Sequence, residues 1–243
     1  GGTPSLLPAE GFERIMDAMN YIQDKEVTCP VVFLLTDNLY NENFHFSEIT
    51  GMSAVNTITI KPATGVSATI SGWSNEFGTI TYGDGASHYI IDGSNQTGGT
   101  DRNLIIENGA NSHVVLFREF SSFTKTQSNN IIKNCIIRGG YGFAADWPAG
   151  IMVPGAIVNG LNIENNEFYK LSAAITVSGK PDRIISNINI SANNIGNEND
   201  TISYAGIYAY YVNNIDISFN NIKNIKNPDD NANGIDIGTN ATN

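Results

Sequence analysis

Four acidic residues in two polar segments are the best candidates for chemistry in this chain. Glu198 and Asp200 lie in the segment NEND, and Asp229 and Asp230 lie in the segment PDD. Carboxylate oxygens are the ligands that Ca²⁺ prefers. Two such segments side by side would therefore form a calcium site. The competing interpretation is that these are solvated acidic loops of an acidic protein.

A second group of residues has side chains suited to carbohydrate. Tyr208 and Tyr210 alternate with small apolar residues, Asp236 lies in a similar segment, and Trp147 lies in a polar stretch further upstream. Aromatic rings combine an apolar face with a polar edge, and such rings can stack on sugars. Tyrosine is also common on exposed β-strands for packing reasons alone. The pattern predicts a glycan-binding face, provided that the segments lie next to each other.

An internal repeat indicates how these residues are positioned. The pattern I-x-x-N-x-apolar recurs as IIKNCI, IENNEF, ISANNI and ISFNNI, and a degenerate earlier copy reads IIENGA. The spacing of the last three copies is 27 residues. The asparagines at the fourth position of the five copies are Asn108, Asn134, Asn166, Asn193 and Asn220.

A second phrase keeps step with the first and consists of a small residue followed by apolar–x–apolar. Its copies are GIMV, AITV, GIYA and GIDI. Short strands that recur at this period with no helix between them are typical of a parallel β-helix, whereas a propeller blade needs about 40–45 residues. The predicted fold class is all-β, a right-handed parallel β-helix (solenoid) of about 27 residues per coil, with a short N-terminal capping helix.

Such a fold would stack equivalent residues of successive coils. The asparagines are predicted to form a structural column at a sharp turn, because asparagine tolerates left-handed backbone and bonds to neighbouring backbone groups. This structural role is favoured over catalysis. The predicted inward stacks are Ile163, Ile190 and Ile217, and Phe168, Ile195 and Ile222; the predicted outward column is Met152, Thr176, Tyr208 and Asp236.

The chain is interpreted as one domain, residues 1–243. Helical spacing of apolar residues over 8–26 predicts an amphipathic helix within an N-terminal cap (1–26), which hides the apolar end of the solenoid. Residues 27–111 are predicted to form irregular first coils and residues 112–243 regular ones. The last coil looks open, which predicts either further coils beyond residue 243 or self-association with a second subunit.

Composition excludes some functions. The formal net charge is −11, which argues against nucleic acid as a partner. No run of apolar residues is long enough for a membrane span, and no signal peptide is recognisable at the N-terminus. Cys29 and Cys135 are far apart beside apolar residues, and buried thiols are favoured over a disulfide.

The chain resembles a known group in the order of its phrases FERIMDAMNYI, VVFLLTDNLYNENFHF, TITIKPATGVSATISG, YIIDGSNQTGGTDRNLIIEN and NNIIKNCIIRGG. It looks like the secreted right-handed parallel β-helix proteins of the pectate-lyase-like superfamily. In particular it is similar to cell-surface proteins of Bacteroidetes-type bacteria that are exported by type IX secretion. The resemblance implies an extracellular or cell-surface setting, and it implies no activity because this fold carries many functions.

Two function classes remain. The polygalacturonase-type pattern is incomplete, since Asn233 stands where NANGID should carry its first acid, and no histidine lies in Gly-His-Gly. The favoured hypothesis is a non-catalytic structural or adhesive solenoid that contacts a polysaccharide or surface glycan, or that self-associates. The alternative is a polysaccharide lyase or glycoside hydrolase, with Ca²⁺ as the cofactor of a lyase.

Overall fold

Three parallel sheets wind the chain into a β-solenoid. The computed structural model describes residues 11–120, 125–139, 148–227 and 232–238. Each sheet contains seven strands, and each coil contributes one strand to each sheet, which gives about six turns. The predicted all-β parallel solenoid is confirmed.

The strands, numbered in chain order, are distributed evenly over the sheets. Sheet A contains β1 (Val31–Leu35), β4 (Ile58–Pro62), β7 (Tyr89–Asp92), β10 (Gln127–Lys133), β13 (Val158–Glu164), β16 (Ile185–Ser191) and β19 (Val212–Ser218). Sheet B contains β2 (Leu39–Tyr40), β5 (Ala68–Gly72), β8 (Leu104–Asn108), β11 (Cys135–Gly139), β14 (Glu167–Tyr169), β17 (Asn194–Ile195) and β20 (Asn221–Ile222). Sheet C contains β3 (Phe44–Phe46), β6 (Ile80–Tyr82), β9 (Val115–Phe117), β12 (Ala149–Pro154), β15 (Leu171–Ser178), β18 (Ile202–Tyr210) and β21 (Asn233–Ile237).

The coils differ in length although their strands stay in register. Paired positions of sheet A are separated, from first coil to last, by 27, 31, 41, 31, 27 and 27 residues. The average is about 31 residues per turn. The early coils are therefore irregular only in their connections. The pairs that give these separations are Val31–Ile58, Ile58–Tyr89, Ile90–Ile131, Gln127–Val158, Asn159–Ser186 and Ser186–Asn213.

Aliphatic stacks fill the interior along the axis. Ile163 pairs with Ile190, and Ile190 pairs with Ile217, as the repeat predicts. The second predicted stack, Phe168, Ile195 and Ile222, also forms. Fully burying such a side chain stabilises a protein by about 1.5–3 kcal/mol, so that the repeated isoleucines fix the register from coil to coil.

The N-terminal helix is shorter than its predicted span. Helix α1 comprises Ile15–Gln23, and the N–H groups of Ile15 and Met16 donate to the carboxylate of Glu42 at 2.8 and 3.0 Å. A carboxylate at a helix N-terminus satisfies N–H groups that have no partner within the helix. This contact explains why the helix begins at residue 15. Its buried side chains, which join the core, are Ile15, Ala18, Met19 and Ile22.

Two further expectations concern the cysteines and the membrane. Cys29 and Cys135 form no disulfide, and Cys135 is fully buried whereas Cys29 is partly exposed. Burial raises the pKa of the Cys135 thiol well above its ordinary value. In the described part of the chain, no helix has the length and apolar character needed to cross a membrane.

Candidate functional site: the outward face of sheet C and the corner groove

Three asparagines form a hydrogen-bonded ladder at the turn between sheets A and B. The side-chain oxygen of Asn193 accepts from the backbone N–H of Asn166 at 2.9 Å, and that of Asn220 accepts from the N–H of Asn193 at 3.0 Å. The side-chain amides also donate to carbonyl oxygens, as Asn193 does to Ile163 at 2.9 Å. Asn166 and Asn193 are fully buried, and these contacts satisfy their polar groups. Their role is structural.

The two earlier asparagines lie outside this ladder. Asn134 is aligned with Asn165, 31 residues on, whose side chain donates to the Asn134 oxygen at 2.7 Å. The residue in the ladder register is Cys135, whose N–H donates to Asn166. Asn108 ends β8 and lies opposite Gly139 in sheet B. The predicted column is therefore corrected to three members, because the coils here are not 27 residues long.

The left-handed backbone also differs from the prediction. The residue just before each ladder asparagine has positive φ: 50° at Asn165, 56° at Ala192 and 56° at Phe219. The ladder asparagines themselves are absent from the positive-φ positions of the described residues. Their function at this turn is thus to satisfy backbone groups of the neighbouring coil, and the turn conformation is adopted by the preceding residue.

The predicted outward column of sheet C is present and is longer than predicted. Met152 pairs with Thr176, Thr176 with Tyr208, and Tyr208 with Asp236. The same register continues towards the N-terminus through three more residues, so that one outward row runs along the described length of the solenoid. The added members are Leu116, Thr81 and His45.

Tyrosines cluster at one end of this column. The rings of Tyr208 and Tyr210 stack with centroids 6.4 Å apart, and the ring of Tyr204 lies 6.4 Å from that of Tyr208. Partial burial, together with Asp236 and Tyr210, raises the pKa of Tyr208. The phenol therefore keeps its proton at neutral pH and can both donate and accept a hydrogen bond.

The predicted calcium ligands are only partly within the described residues. Glu198 is exposed, and Asp200 lies 3.8 Å from the ammonium group of Lys170. Asp229 and Asp230, and also Trp147 of the predicted glycan face, lie outside the described residues. Among the residues that are described, no three His, Cys, Asp or Glu side chains are grouped closely enough to hold a metal ion.

A groove of about 600 Å³ follows the corner between sheets B and C. This corner groove is lined by residues of five successive coils, which at about 4.8 Å per coil gives a length of about 19 Å. The sequence predicts that the connections from sheet B to sheet C share one edge, and the groove lies along it. The lining residues used below are Trp73, Glu107, Gly109, Arg138, Lys170 and Asp200.

Trp73 is the residue of this groove that sequence reasoning missed. Its side chain is 73% exposed, and it follows β5 in the second coil. The signal was its position after a β-strand phrase, TISG, at the same corner as the later polar segments. It could be interpreted only once the early coils were known to keep the register of the later ones.

A row of polar side chains crosses four coils on the outward face of sheet B. The Glu107 carboxylate accepts from the hydroxyl of Ser71 at 3.0 Å and from Nε of Arg138 at 2.6 Å. Arg138 also donates to the hydroxyl of Tyr169, at 3.5 Å. These contacts use two of the five N–H groups of the guanidinium and hold it in one orientation beside the groove.

His113 holds together the connections that border the groove. Its Nδ1 accepts from the backbone N–H of Ala149 at 3.2 Å, and its carbonyl oxygen accepts from Asn108 at 2.9 Å. Burial lowers the pKa of His113 from its ordinary 6.5, because the charged imidazole loses hydration. A protonated Nδ1 could not accept the Ala149 bond, so this corner requires the neutral form.

We expect the free energy of unfolding to fall as the pH decreases below 6.5, the ordinary value for histidine. The unfolded chain then binds a proton at His113 at a higher pH than the folded chain, so that protonation favours unfolding; above that range the contribution is fully present. His113→Gln should flatten this part of the profile, measured by denaturant unfolding between about pH 8 and about pH 5. His45→Gln is the control at an exposed position, and His88, whose pKa burial also lowers, stays in all variants. Equal profiles for His113→Gln and wild type would contradict the assignment.

Fold and surface together define the chain as a parallel β-solenoid with an aromatic outward face and a polar corner groove. Comparison with models of protein families, with curated proteins and with solved structures gives no match. The fold is therefore established from the strand pairing of this chain, and its function from its own surface chemistry.

Proposed function

We propose that the protein is an extracellular or cell-surface β-solenoid with a structural and adhesive role, and that the outward face of sheet C contacts glycan without catalysing a reaction. The observation that carries this proposal is the continuous outward column, which ends in Tyr208, Tyr210 and Asp236. A row of this kind offers repeated contacts to a ligand that is itself an extended chain.

The chemistry of the column suits sugars. Tyr208 and Tyr210 expose part of their rings, which can stack on the apolar face of a pyranose, while their hydroxyl groups bond to its polar edge. Asp236 lies beside Tyr208 in the register and accepts hydrogen bonds from ligand hydroxyls. Partly exposed tyrosines and a single carboxylate form an uncharged or weakly acidic surface that would not attract phosphate chains.

The proposed location rests on composition and on the resemblance described above. Charged residues make up only 15% of the chain, and its regular coils resemble those of secreted pectate-lyase-like proteins, including those exported by type IX secretion. Labelling of the protein on intact cells with a membrane-impermeant reagent tests this part of the proposal.

The glycan contact is tested with Tyr208→Ala/Tyr210→Ala. We expect wild type to bind at least one class of polysaccharide on an array, and the double variant to bind at least about tenfold more weakly, because stacking and hydroxyl contacts are lost. Tyr21→Ala, which removes a partly exposed tyrosine from α1, is the matched control. Equal binding by wild type and the double variant contradicts the assignment to sheet C.

The same preparations separate the other hypotheses. Incubation with acidic polysaccharide, with and without Ca²⁺, should give no unsaturated product; a product that disappears in Asp229→Asn/Asp230→Asn would favour the lyase. Self-association is supported by Ile235 and Ile237 of β21, which are 49% and 47% exposed on the outermost described strand of sheet C. A dimer in sedimentation that persists on dilution, without glycan binding, would favour that function instead.

A further inference from the structure

The corner groove is a second surface of the molecule, distinct from the tyrosine column. It begins at Trp73 in the second coil and ends near Asp200 in the sixth. Its volume of about 600 Å³ is within the usual range of ligand sites, about 300–1,000 Å³. Its length of about 19 Å suits several units of an extended chain.

Trp73 is held as a platform at one end of this groove. The backbone of Gly109 lies directly against the indole, since a Cβ added at Gly109 would be 2.7 Å from Cε3 of Trp73. One part of the ring therefore rests on a residue without a side chain, and the rest, 73% of the side chain, is exposed. A supported aromatic ring of this kind stacks on a flat apolar surface of a ligand with little loss of entropy.

Hydrogen bonds fix the backbone on both sides of this tryptophan. Asn108, which is fully buried, accepts from the N–H of Ser74 at 3.2 Å and donates to the Ser74 carbonyl at 3.0 Å. Asn43 donates to the carbonyl oxygen of Trp73 at 3.2 Å. The sequence-predicted ladder residue Asn108 thus positions the platform, and the exposure of Trp73 is a feature of an ordered segment.

The charged groups along the groove are balanced. Arg138 pairs with Glu107 at 2.6 Å, and Lys170 lies 3.8 Å from Asp200. A carboxylated or phosphorylated ligand would need a cation in surplus, which these two pairs do not supply. An uncharged, hydroxyl-rich ligand finds both donors and acceptors, because each hydroxyl can donate to a carboxylate and accept from a cation.

The strands beside the groove favour a sugar over a peptide. β11 is paired with β8 and β14, and β12 is paired with β9 and β15, so that neither offers a free edge for an added strand. Strand addition, which gives extended peptides much of their affinity, is thus not available here. The remaining recognition elements are an aromatic platform and balanced polar groups.

We propose that the corner groove binds an uncharged oligosaccharide, with one sugar ring on Trp73 and its hydroxyls on the Glu107–Arg138 pair. The inference rests on the proposed function for its ligand class, but it assigns a separate site. Arg138 and Glu107 take part through their fixed positions along the groove, and the platform sets one end of the bound chain.

The test is calorimetric titration with neutral hexasaccharides of glucose, mannose and xylose, and with hexagalacturonate. We expect at least one neutral hexasaccharide to bind, with about tenfold loss in Trp73→Ala, smaller loss in Trp73→Phe and no change in Phe219→Ala, an exposed aromatic elsewhere. Tyr208→Ala should keep this binding. Glu107→Gln, which leaves the charge of Arg138 unbalanced, should acquire measurable affinity for hexagalacturonate.

Each other outcome overturns the inference in a distinct way. Binding lost in Tyr208→Ala and kept in Trp73→Ala leaves the proposed function intact and excludes the groove. Binding of hexagalacturonate alone by wild type excludes the uncharged ligand class. Trp73-dependent binding of a peptide panel, with no sugar bound, assigns the groove to a protein partner. Binding of no sugar by any variant overturns both this inference and the glycan contact of sheet C.

Discussion

Replacing Asn193 with alanine is expected to lower the free energy of unfolding by about 3 kcal/mol. The Asn193 oxygen accepts from the N–H and the side-chain amide of Asn166, and its amide donates to the carbonyl of Ile163. The site is fully buried, so water cannot replace these contacts. A buried backbone group without a partner costs about 1–3 kcal/mol, and the substitution leaves more than one. Chemical denaturation measures the change.

The control for this substitution is Asn221→Ala, two turns of the argument away in chemistry but only one coil away in space. Asn221 is an exposed asparagine of the next coil, and exposed substitutions usually change stability by less than about 0.5 kcal/mol. Equal effects of the two substitutions would show that the buried ladder contributes no more than a surface asparagine does.

Replacing Gly93 with alanine is expected to destabilise the fold by about 3 kcal/mol, the upper end of the range for overpacking. A Cβ at this position would lie 1.8 Å from the carbonyl oxygen of Asn134 and 2.6 Å from its carbonyl carbon. Both atoms belong to the backbone at a sheet corner, where β11 is already paired on both sides, so that neither can move without disturbing the stack. Denaturant unfolding measures the loss, and failure to fold agrees with it.

Gly98→Ala provides the matched control within the same connection. No atom lies within 4 Å of a Cβ at Gly98, and its φ of 67° adds only the conformational cost of a left-handed alanine, about 1 kcal/mol. A Gly93→Ala protein as stable as Gly98→Ala would contradict the close approach of the coils at this point.

Much of the regular half of the fold could be predicted from the repeat. Ile163, Ile190 and Ile217 stack as expected, because identical inward residues at a constant period place each above the last. The same reasoning predicted the column through Tyr208 and Asp236. The register of Asn134 could not be obtained this way, although its distance of 32 residues from Asn166, one more than the 31 of the aligned pair, was a signal.

The candidate sites were predictable to different degrees. The tyrosine column follows from alternation along β18, since residues two apart point to the same side of a strand. The corner groove does not follow from any local pattern. Trp73, Glu107 and Arg138 come from three different coils, and they line one groove only because connections of unequal length return each strand to the same sheets.

The sequence by itself determined the class of fold, the inward stacks and the outward tyrosine column, because these features repeat with the side-chain alternation of a strand and a nearly constant coil length. Only the tertiary structure decided which asparagines share a ladder, where the left-handed turns lie and which side chains form the groove. The physical reason is that strand pairing, driven by burial of the isoleucine stacks, sets the register, while the connections adapt their length to it. Residues that lie in those connections meet across a coil spacing of about 4.8 Å whatever their separation along the chain.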